Sequence, residues 1–436
     1  MSGDDTIFAL ASARGRAGVS VIRVSGAGAK EIVERLVGSI EKPRYAYLRD
    51  ILNPENGDKI DQGVVLWFEE GASFTGEPVV ELQVHGSVSV VDEILEVLGR
   101  FENSRIAEAG EFTKRALLND KMDLTQVEGL ADLIDSETVE QRKQASRIMR
   151  GELSEKSTRW RNKLLEIKGL MEATIDFSDE ELPDNVLDPV VSQLKELHRE
   201  FELELKGSDA SEIIRNGFII AIVGKPNVGK SSLLNALAGR DIAITSDIAG
   251  TTRDVIEVSL NLSGYSVTLL DTAGIRDSDD QIEKIGVARA YSRASDADLR
   301  VFVLDVDDDS NDLAELQTEG DLTVYSKQDL GVEVEGLHLS AKTGVGLDQL
   351  LDRISVELSK RVFSSSSLIR QRHRDSLKVS SELLLKVEDL MMADDYDIEV
   401  ASDELRSVIG HIDHIVGKID VESVLGQIFS SFCIGK

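Results

Sequence analysis

The residues best suited to chemistry form the stretch GKPNVGKSS, whose glycines, lysine and serine are spaced to hold phosphate groups. It runs from Gly224 to Ser232 and follows the apolar segment FIIAIV, which predicts a buried strand. Gly224 and Gly229 would let the loop wrap with its N–H groups inward, at a helix N-terminus that favours anions. Lys230 would reach the β- and γ-phosphates, and the Ser231 hydroxyl would bind Mg²⁺. The stretch therefore predicts a nucleoside triphosphate site.

Three later motifs, each after an apolar strand, indicate that the base is guanine. DTAG starts at Asp271, which would hold Mg²⁺ through water, and ends at Gly274, whose N–H would sense the γ-phosphate. SKQD ends in Asp329, whose carboxylate can accept from the guanine N1–H and N2–H₂, which adenine does not offer. SAKTG, from Ser340, would support the base. In this order the motifs predict a guanine nucleotide-binding domain.

Two positions depart from the usual pattern of such domains. Ser326 stands where the guanine motif usually has Asn, and a shorter side chain is expected to tie the base to the phosphate loop less well. Ile275 stands where Ras-like proteins place a water-orienting Gln, and an apolar side chain cannot orient water. Either hydrolysis is poor or another group acts; Glu283 is the nearest downstream candidate, although it lies among several acids.

The stretch SDIAGTTRD, from residue 246, is the candidate first switch, where the hydroxyl of Thr251 or Thr252 would complete the Mg²⁺ shell. The Asn227 side-chain carbonyl is a suitable ligand for K⁺, and the ion would supply the positive charge that an arginine finger normally gives. The alternative is that the Asn227 side chain only caps the loop through its own hydrogen bonds. The residues predicted to bind GTP are Asn227, Val228, Gly229, Lys230, Ser231, Ser232, Ser246, Asp247, Ile248, Ala249, Gly250, Thr251, Thr252, Asp271, Thr272, Ala273, Gly274, Lys327, Asp329, Ser340, Ala341 and Lys342.

The chain as a whole is acidic and contains one cysteine. Its 436 residues suggest two to four domains. A formal net charge of -31 opposes phosphate-backbone binding by the whole surface, but not by a local basic patch. One cysteine excludes an intramolecular disulfide and a thiolate zinc site. The start lacks a signal-peptide pattern and FIIAIVG is too short for a bilayer, so a cytoplasmic protein without a membrane partner is expected.

The apolar spacing changes along the chain and predicts a multidomain α/β architecture. Residues 1–118 mix short strands with Gly-rich turns, residues 119–216 and 361–436 have helical spacing, and residues 217–360 alternate strands and helices. We expect a doubly wound α/β domain, the P-loop GTPase, inserted into one discontinuous helical domain and preceded by an α+β domain. Two separate helical regions flanking the α/β domain are the alternative.

Together these stretches resemble the MnmE or TrmE family of tRNA modification GTPases, over essentially the whole chain. The resemblance rests on VIRVSG, SFTGEPVVELQVHG, EFTKRALLNDKMDLTQVEGL, GKPNVGKSSLLNAL, SDIAGTTRD, DTAGIR and the terminal GQIFSSFCIGK. Many GTPases share the nucleotide motifs. Their combination with the amino-terminal blocks and the Cys-x-Gly-Lys tail is specific to the family.

The resemblance implies a folate-binding-like amino-terminal domain that forms a homodimer, and a K⁺-stimulated GTPase activated by dimerisation of its G domains. It implies work on tRNA with the FAD-dependent partner MnmG (GidA), in a heterotetramer or a larger complex. The products would be aminomethyl or carboxymethylaminomethyl groups on C5 of the wobble uridine. The implied cofactors are GTP, Mg²⁺, K⁺ and a tetrahydrofolate derivative, in the 5,10-methylene or 5-formyl form, which donates the one-carbon unit.

The resemblance also assigns roles to individual residues. Glu283 would orient the attacking water, and Mg²⁺ would be bound by Ser231 and Thr252. The Asn227 side chain and three backbone positions would bind K⁺, the latter being Ser246, Ile248 and Thr251. The folate site would be formed by Arg23, Glu81, Lys121 and Lys436. Arg and Lys would pair with folate carboxylates and Glu81 would accept from pterin N–H groups; without the resemblance, surface salt bridges would be expected.

Cys433, in the terminal FCIGK, is the remaining candidate for chemistry. The tail does not fit a prenylation signal, and a small buried hydrophobe is the common fate of a free cysteine. The resemblance places Cys433 near the folate as a residue required for modification, with a nucleophilic or redox role only if its thiolate is favoured.

Two other functions compete with this interpretation. A ribosome-assembly or signalling GTPase would have no part in modification, but such proteins usually add a basic RNA-binding module or a second G domain. A folate-dependent methyltransferase with a vestigial G domain is disfavoured by the intact phosphate loop and switches.

Overall fold

The computed structural model describes residues 5–176, 188–225, 227–240, 242–244, 257–271, 294–305, 317–330, 336–362, 366–393, 397–418, 426, 428, 429, 432, 434 and 435. The chain forms two compact units. The first comprises Met1–Ala131, Ser154–Ser157 and Asp413–Lys436, and the second comprises Asp132–Leu153 and Thr158–Ile412.

The first unit is built on a six-stranded sheet that is mostly antiparallel. Its strands are β1 (Thr6–Leu10), β2 (Ala17–Ser25), β3 (Tyr47–Leu52), β4 (Lys59–Phe68), β5 (Val79–Gly86) and β6 (Ser104–Ile106), in the order β3-β4-β5-β2-β1-β6. Only the β1–β6 pair is parallel. Alternating apolar residues of β2 and β5 are buried with helices α1 (Ala29–Val37) and α2 (Val88–Leu98) in one core, as the period of a half-buried strand requires.

Helices α3 (Glu111–Leu118) and α4 (Leu124–Asp135) follow this sheet, and the end of the chain packs beside them. Leu124 and Val127 share a buried cluster with Ile428, Phe429 and Phe432. The tail residue Ile434 forms an antiparallel bridge with Ala109. The carboxyl-terminal segment is therefore part of the core of the first unit.

The second unit contains long helices and a second six-stranded sheet. The helices are α5 (Val139–Met149), α6 (Glu152–Asp176), α7 (Asp188–Asn216), α10 (Gln371–Met392) and α11 (Ile398–Val416). Leu and Ile at helical spacing bury one stripe of each helix, as in other amphipathic helices. Between α6 and α7, the rings of Trp160 and Phe201 meet edge to face with centroids 5.1 Å apart.

The second sheet comes from the segment between α7 and α10. Its strands are β7 (Phe218–Val223), β8 (Glu257–Leu262), β9 (Tyr265–Asp271), β10 (Leu299–Leu304), β11 (Leu322–Tyr325) and β12 (Leu337–His338), in the order β12-β11-β10-β7-β9-β8. All neighbours are parallel except β8 and β9. The described helices of this segment are α8 (Lys230–Ala238) and α9 (Leu347–Arg361). Because five strands are parallel, their carboxyl ends meet at one edge, where ligands bind in such sheets.

The chain enters and leaves this segment at neighbouring points. The Asp132 Oδ1 atom accepts from Arg215 Nε at 2.9 Å, just before β7, and from Arg370 Nη2 at 2.8 Å, just before α10. Ser211 Oγ and the backbone of Ser366 exchange two hydrogen bonds of 2.7 Å. The predicted fold class, an α/β domain inserted into helices and preceded by an α+β domain, is confirmed. The domain boundaries stay a prediction.

Candidate functional site

The phosphate loop begins where β7 ends at the centre of the second sheet. A Cβ at Gly224 would lie 2.4 Å from the carbonyl oxygen of Val303, so only glycine allows β10 to approach this closely. Asn227 and Gly229 both have positive φ, 63° and 108°, and α8 starts at the next residue. The backbone thus turns sharply into a helix N-terminus, as an anion-binding loop requires.

Lys230 is buried against the loop that it serves. Its Nζ donates to the carbonyl oxygens of Gly224, at 2.7 Å, and Lys225, at 2.9 Å. Burial lowers the pKa of the Lys230 ammonium, and the Asp271 carboxylate opposes this shift. The ammonium is therefore held across the loop, in a poorly solvated place where an anionic phosphate would be strongly attracted.

Ser231 and Asp271 form an oxygen-rich pair that fits Mg²⁺. Ser231 Oγ donates to Asp271 Oδ2 at 2.8 Å. The other oxygen, Asp271 Oδ1, is buried and has no hydrogen-bond partner among the described residues. A buried carboxylate oxygen without a partner is costly unless a ligand or water satisfies it, and oxygen is the donor that Mg²⁺ prefers.

Ser326 connects the base side of the site to the phosphate loop. Its Oγ donates to the carbonyl oxygen of Val228 at 2.7 Å and lies 3.2 Å from that of Leu304. Ser326 is only 3% exposed. Ser326 therefore links the base side of the site to the phosphate loop directly, although its side chain is shorter than the usual asparagine.

The other base-site residues follow β11 and β12. Lys327 has a φ of 62°, and its Nζ lies 2.5 Å from Asp305 Oδ2, directly after β10. Asp329 Oδ1 accepts from the buried Ser340 Oγ at 2.9 Å. This bond fixes the carboxylate that is expected to read guanine. Ala341 and Lys342 begin the turn after Ser340.

Several predicted nucleotide residues lie outside the described part of the chain. The first-switch residues are Ser246, Asp247, Ile248, Ala249, Gly250, Thr251 and Thr252. The others are Thr272, Ala273, Gly274 and the water-orienting candidate Glu283. The described residues that the fold brings to one sheet edge are Asn227, Val228, Gly229, Lys230, Ser231, Ser232, Asp271, Lys327, Asp329, Ser340, Ala341 and Lys342.

In the first unit, Arg23 and Glu81 are brought together as register partners on β2 and β5. Arg23 Nε and Nη2 both donate to Glu81 Oε1, at 3.0 and 2.9 Å. The guanidinium also lies 5.3 Å from the ring centroid of Phe74 and 5.7 Å from that of Phe112. Each side chain is about one-fifth exposed, so the pair is poorly solvated but open on one side.

The loop between β4 and β5, residues 69–78, connects this pair to Lys121. It carries Phe74, and its Gly71 carbonyl accepts from Lys121 Nζ at 2.6 Å. Asn119 Nδ2 donates to the Thr75 carbonyl at 2.8 Å and anchors the loop to the end of α3. Three of the four predicted folate residues are thus described; the fourth, Lys436, lies outside the described residues, as does Cys433.

The tail residue between these two positions that comes closest to β1 is Gly435. A Cβ at Gly435 would come within 2.1 Å of the Leu10 carbonyl oxygen, so the tail backbone touches the end of this strand. Leu10 is the neighbour of Ala9, which pairs with Arg23 in the sheet. Gly435 of the FCIGK motif therefore lies beside β1, the neighbour in the sheet of the strand β2 that carries Arg23.

Sequence reasoning missed Phe74, Phe112 and Asp305 as partners of site residues. Phe74 lies inside the SFTGEP stretch that was singled out, but contacts with Arg23 depend on strand register rather than on local spacing. Asp305 begins the acidic run DVDDDSND, whose composition is typical of a solvated loop. Its position directly after a buried strand was the signal that could have identified it.

Two family profiles match the chain. One, described as the MnmE helical domain, matches residues 124–433. The other, described as the GTP-binding protein TrmE N-terminus, matches residues 6–121. Among the described residues, the helices are all too short or too polar to cross a membrane.

Curated relatives cover the chain from end to end. The tRNA modification GTPase MnmE of Roseobacter denitrificans is 49% identical over 432 residues, which are 99% of this chain and 100% of that protein. The protein of the same name from Cereibacter sphaeroides is 48% identical over 433 residues, with the same coverage of both chains. That of Beijerinckia indica is 43% identical and covers 99% of this chain and 96% of its own length.

Proposed function

The chain belongs to the MnmE family of tRNA modification GTPases, and we propose from this that it binds and hydrolyses GTP in the course of tRNA modification. The observation that carries the proposal is the phosphate loop, where the buried residues Lys230 and Asp271 converge with Ser231 at the carboxyl edge of the parallel sheet. The base-side residues lie at the same edge.

The described residues have distinct parts in this reaction. The loop N–H groups and Lys230 bind the phosphates and would stabilise the charge that develops as the γ-phosphoryl leaves. Asp329, held by Ser340, selects guanine. Mg²⁺, held by Ser231 and through water by Asp271, would neutralise the phosphate oxygens when bound.

The finer nucleotide chemistry rests on residues outside the described part. We assign the water-orienting role to Glu283, because Ile275 cannot perform it, and the second Mg²⁺ oxygen to Thr252. For K⁺ we assign the Asn227 side chain with the backbone of Ser246, Ile248 and Thr251. The exposed Asn227, with its positive φ, supports this assignment, because its side chain is not buried in the loop.

We assign the amino-terminal unit to a tetrahydrofolate derivative, held by Arg23, Glu81, Lys121 and Lys436. Support comes from the poorly solvated Arg23–Glu81 pair and from the tail contact beside β1. Arg23 donates to only one oxygen of Glu81, Oε1. The pair can therefore offer a ligand both guanidinium N–H donors and the second carboxylate oxygen as an acceptor. Cys433 is the residue of the tail that we assign to the modification chemistry.

The proposal extends to partners and compartment. The chain forms a homodimer through the domain of residues 1–118. Its protein partner is the FAD-dependent MnmG (GidA), in a heterotetramer or a larger complex, and its RNA partner is tRNA. The complex acts in the cytoplasm. The helical domain would comprise residues 119–216 and 361–436, and the G domain residues 217–360.

Mass spectrometry of tRNA nucleosides tests this function. Cells lacking the gene are complemented with the wild type, with Lys230→Met or with Cys433→Ser. Aminomethyl-type wobble uridines should vanish in the deletion and return only with the wild type. Uridines that persist in the deletion would reject the modification role and favour an assembly GTPase. Uridines restored by Cys433→Ser would leave the GTPase role intact and remove Cys433 from the chemistry.

A further inference from the structure

Helix α5 is strongly basic within an acidic chain. Over Val139–Met149 it carries Arg142, Lys143 and Arg147 against a single acid, Glu140, and Arg150 follows at its C-cap. The formal net charge of the chain is -31. The longer helices α7 and α10 carry at least as many acids as bases, so this concentration of positive charge is a local feature.

The opposite face of α5 is fixed by packing. Ala145 and Ile148 are buried, and Gln144 Nε2 donates to the Ser211 carbonyl of α7 at 2.9 Å. The helix start is held by a capping box between Thr138 and Gln141, which fixes its entry. Since this face is bound to α7, the basic residues are directed away from it.

Two exposed arginines and a half-buried serine form one row along the helix. Arg142, Ser146 and Arg150 are spaced by four residues, which places them above one another on a helix surface. Arg142 and Arg150 are exposed. Eight residues of helix span about 12 Å, so the two guanidinium groups can reach separate phosphates.

Two of the four basic side chains have carboxylate partners. Lys143 pairs with Glu140 at 2.7 Å, and Arg147 pairs with Glu152 at 2.7 Å. Among the described residues, no carboxylate lies within ion-pair distance of Arg142 or Arg150; Arg150 Nε donates only to the Ser146 carbonyl. Two planar guanidinium groups are therefore available to a ligand.

The helix dipole does not account for this row. Positive charge in the last turn is favourable, which suffices for Arg147 and Arg150. Arg142 lies in the first half of the helix, where the dipole disfavours a cation. The helix dipole therefore gives no reason for an exposed arginine at that position.

We propose that the row formed by Arg142, Ser146 and Arg150 binds the phosphate backbone of tRNA. This inference rests on the proposed function, because that function brings an RNA to the chain. Guanidinium groups match phosphate oxygens through two parallel hydrogen bonds, and the Ser146 hydroxyl between them can donate a third. Phosphate contacts position the RNA without reading its sequence.

The test measures binding of fluorescein-labelled tRNA to the full-length chain over a range of salt concentrations. The variant is Arg142→Glu with Arg150→Glu. The matched control is Arg199→Glu with Lys206→Glu on α7, which changes the net charge equally at two exposed positions. Each phosphate contact contributes about 0.7–0.9 to the slope of log K against log salt.

We expect the α5 variant to bind tRNA at least about tenfold more weakly at low salt, with the slope of log K against log salt smaller by about 1.4–1.8. The control should stay near the wild type. Arg142→Lys with Arg150→Lys should keep the slope and lose part of the affinity, because lysine keeps charge but not the bidentate geometry. Unchanged thermal melting shows that each variant folds.

Equal binding by the α5 variant and the control overturns the proposal. Wild-type chain that hydrolyses GTP but shows no salt-dependent tRNA binding also overturns it, while the GTPase function stands. Wild-type chain that hydrolyses no GTP instead rejects the proposed function itself. GTP hydrolysis without RNA should be the same in the wild type, the variant and the control.

Discussion

The hydroxyl of Ser326 donates a 2.7 Å hydrogen bond to the carbonyl oxygen of Val228, and thereby joins the base side of the nucleotide site to the phosphate loop. Both residues are buried. A position where the usual asparagine is missing thus keeps a direct link between the two halves of the site. The short serine side chain can make this link because Ser326 directly follows β11, which ends next to the phosphate loop.

Ser326→Ala should weaken nucleotide binding without abolishing it. The change leaves the Val228 carbonyl buried without its donor, at a cost of about 1–3 kcal/mol. If that cost falls on the bound state, GDP affinity drops roughly fivefold to 150-fold. Fluorescent GDP titration measures this, with the exposed Ser359→Ala as control. Equal affinity in the two variants would show that the link has no role in binding.

Gly224→Ala should be far more damaging than Gly229→Ala. At Gly224 a Cβ would lie 2.4 Å from the Val303 carbonyl, which is backbone and cannot move aside. At Gly229 a Cβ meets no atom within 4 Å, and only the positive φ opposes alanine, at about 1–2 kcal/mol. Thermal unfolding and GDP binding compare the two variants. Similar melting temperatures would refute the close contact with β10.

Lys230→Met should slow GTP hydrolysis by about 10²–10³-fold while preserving the fold. Methionine fills the volume of the buried stem, but it removes the ammonium that faces the phosphates. Losing one such stabilising group typically costs about 10²–10³ in kcat. Lys360→Met, an exposed change on α9, is the control. Hydrolysis by Lys230→Met at the control rate would place the phosphates elsewhere.

Glu111→Gln should remove a pH-dependent part of the stability of the first unit. Burial raises the pKa of Glu111, but hydrogen bonds and charge from Arg105 and Arg115 outweigh it, so the pKa is lowered below 4.5. The stabilisation is therefore present above the unfolded-state pKa and is lost as the pH falls through the folded-state pKa.

Melting of the wild type and Glu111→Gln across the acid range checks this. At neutral pH the variant should be less stable by about 1.5–3 kcal/mol, the value of a hydrogen bond to a charged group. The difference should shrink as the pH falls below 4.5. A constant difference would mean that the carboxylate charge contributes nothing.

Glu81→Gln should weaken binding of a tetrahydrofolate derivative and leave GTP binding unchanged. The change removes the anionic partner of Arg23 in a poorly solvated place, so at least about tenfold in affinity is expected from the loss of a charged hydrogen bond. Calorimetry with 5-formyltetrahydrofolate measures it. The exposed Glu93→Gln serves as control. Unaltered affinity would exclude Glu81 from the folate site.

The phosphate loop could be predicted from the sequence because its chemistry is local. Strand, glycines, lysine and helix occupy one continuous stretch, so residue spacing alone fixes the geometry from Gly224 to Ser231. The guanine motifs were predictable from their order, since each follows a strand of the same parallel sheet. The change of apolar period favoured an insertion of this sheet between helices, although two separate helical regions remained the alternative.

The surroundings of Arg23 could not be predicted in the same way. Its contacts with Glu81 and Phe112 depend on antiparallel register and on the packing of α3, which no short spacing encodes. The bridge between Ala109 and Ile434 joins residues that lie far apart in the sequence. The Ser326–Val228 bond depends on where two segments of the fold end next to each other, which the residue type alone does not encode.

The shared anchoring of Arg215 and Arg370 by Asp132 has a consequence for loop-closure entropy. Because Ser211 and Ser366 hold the two connections together, the whole nucleotide-binding segment is a loop whose ends are already joined. Local unfolding of this segment would therefore leave α7 and α10 paired. Replacing the segment by a short linker between the two helices would carry only a small loop-closure entropy cost. The paired helices α7 and α10 can therefore stay folded whether the inserted nucleotide-binding segment is folded or locally unfolded.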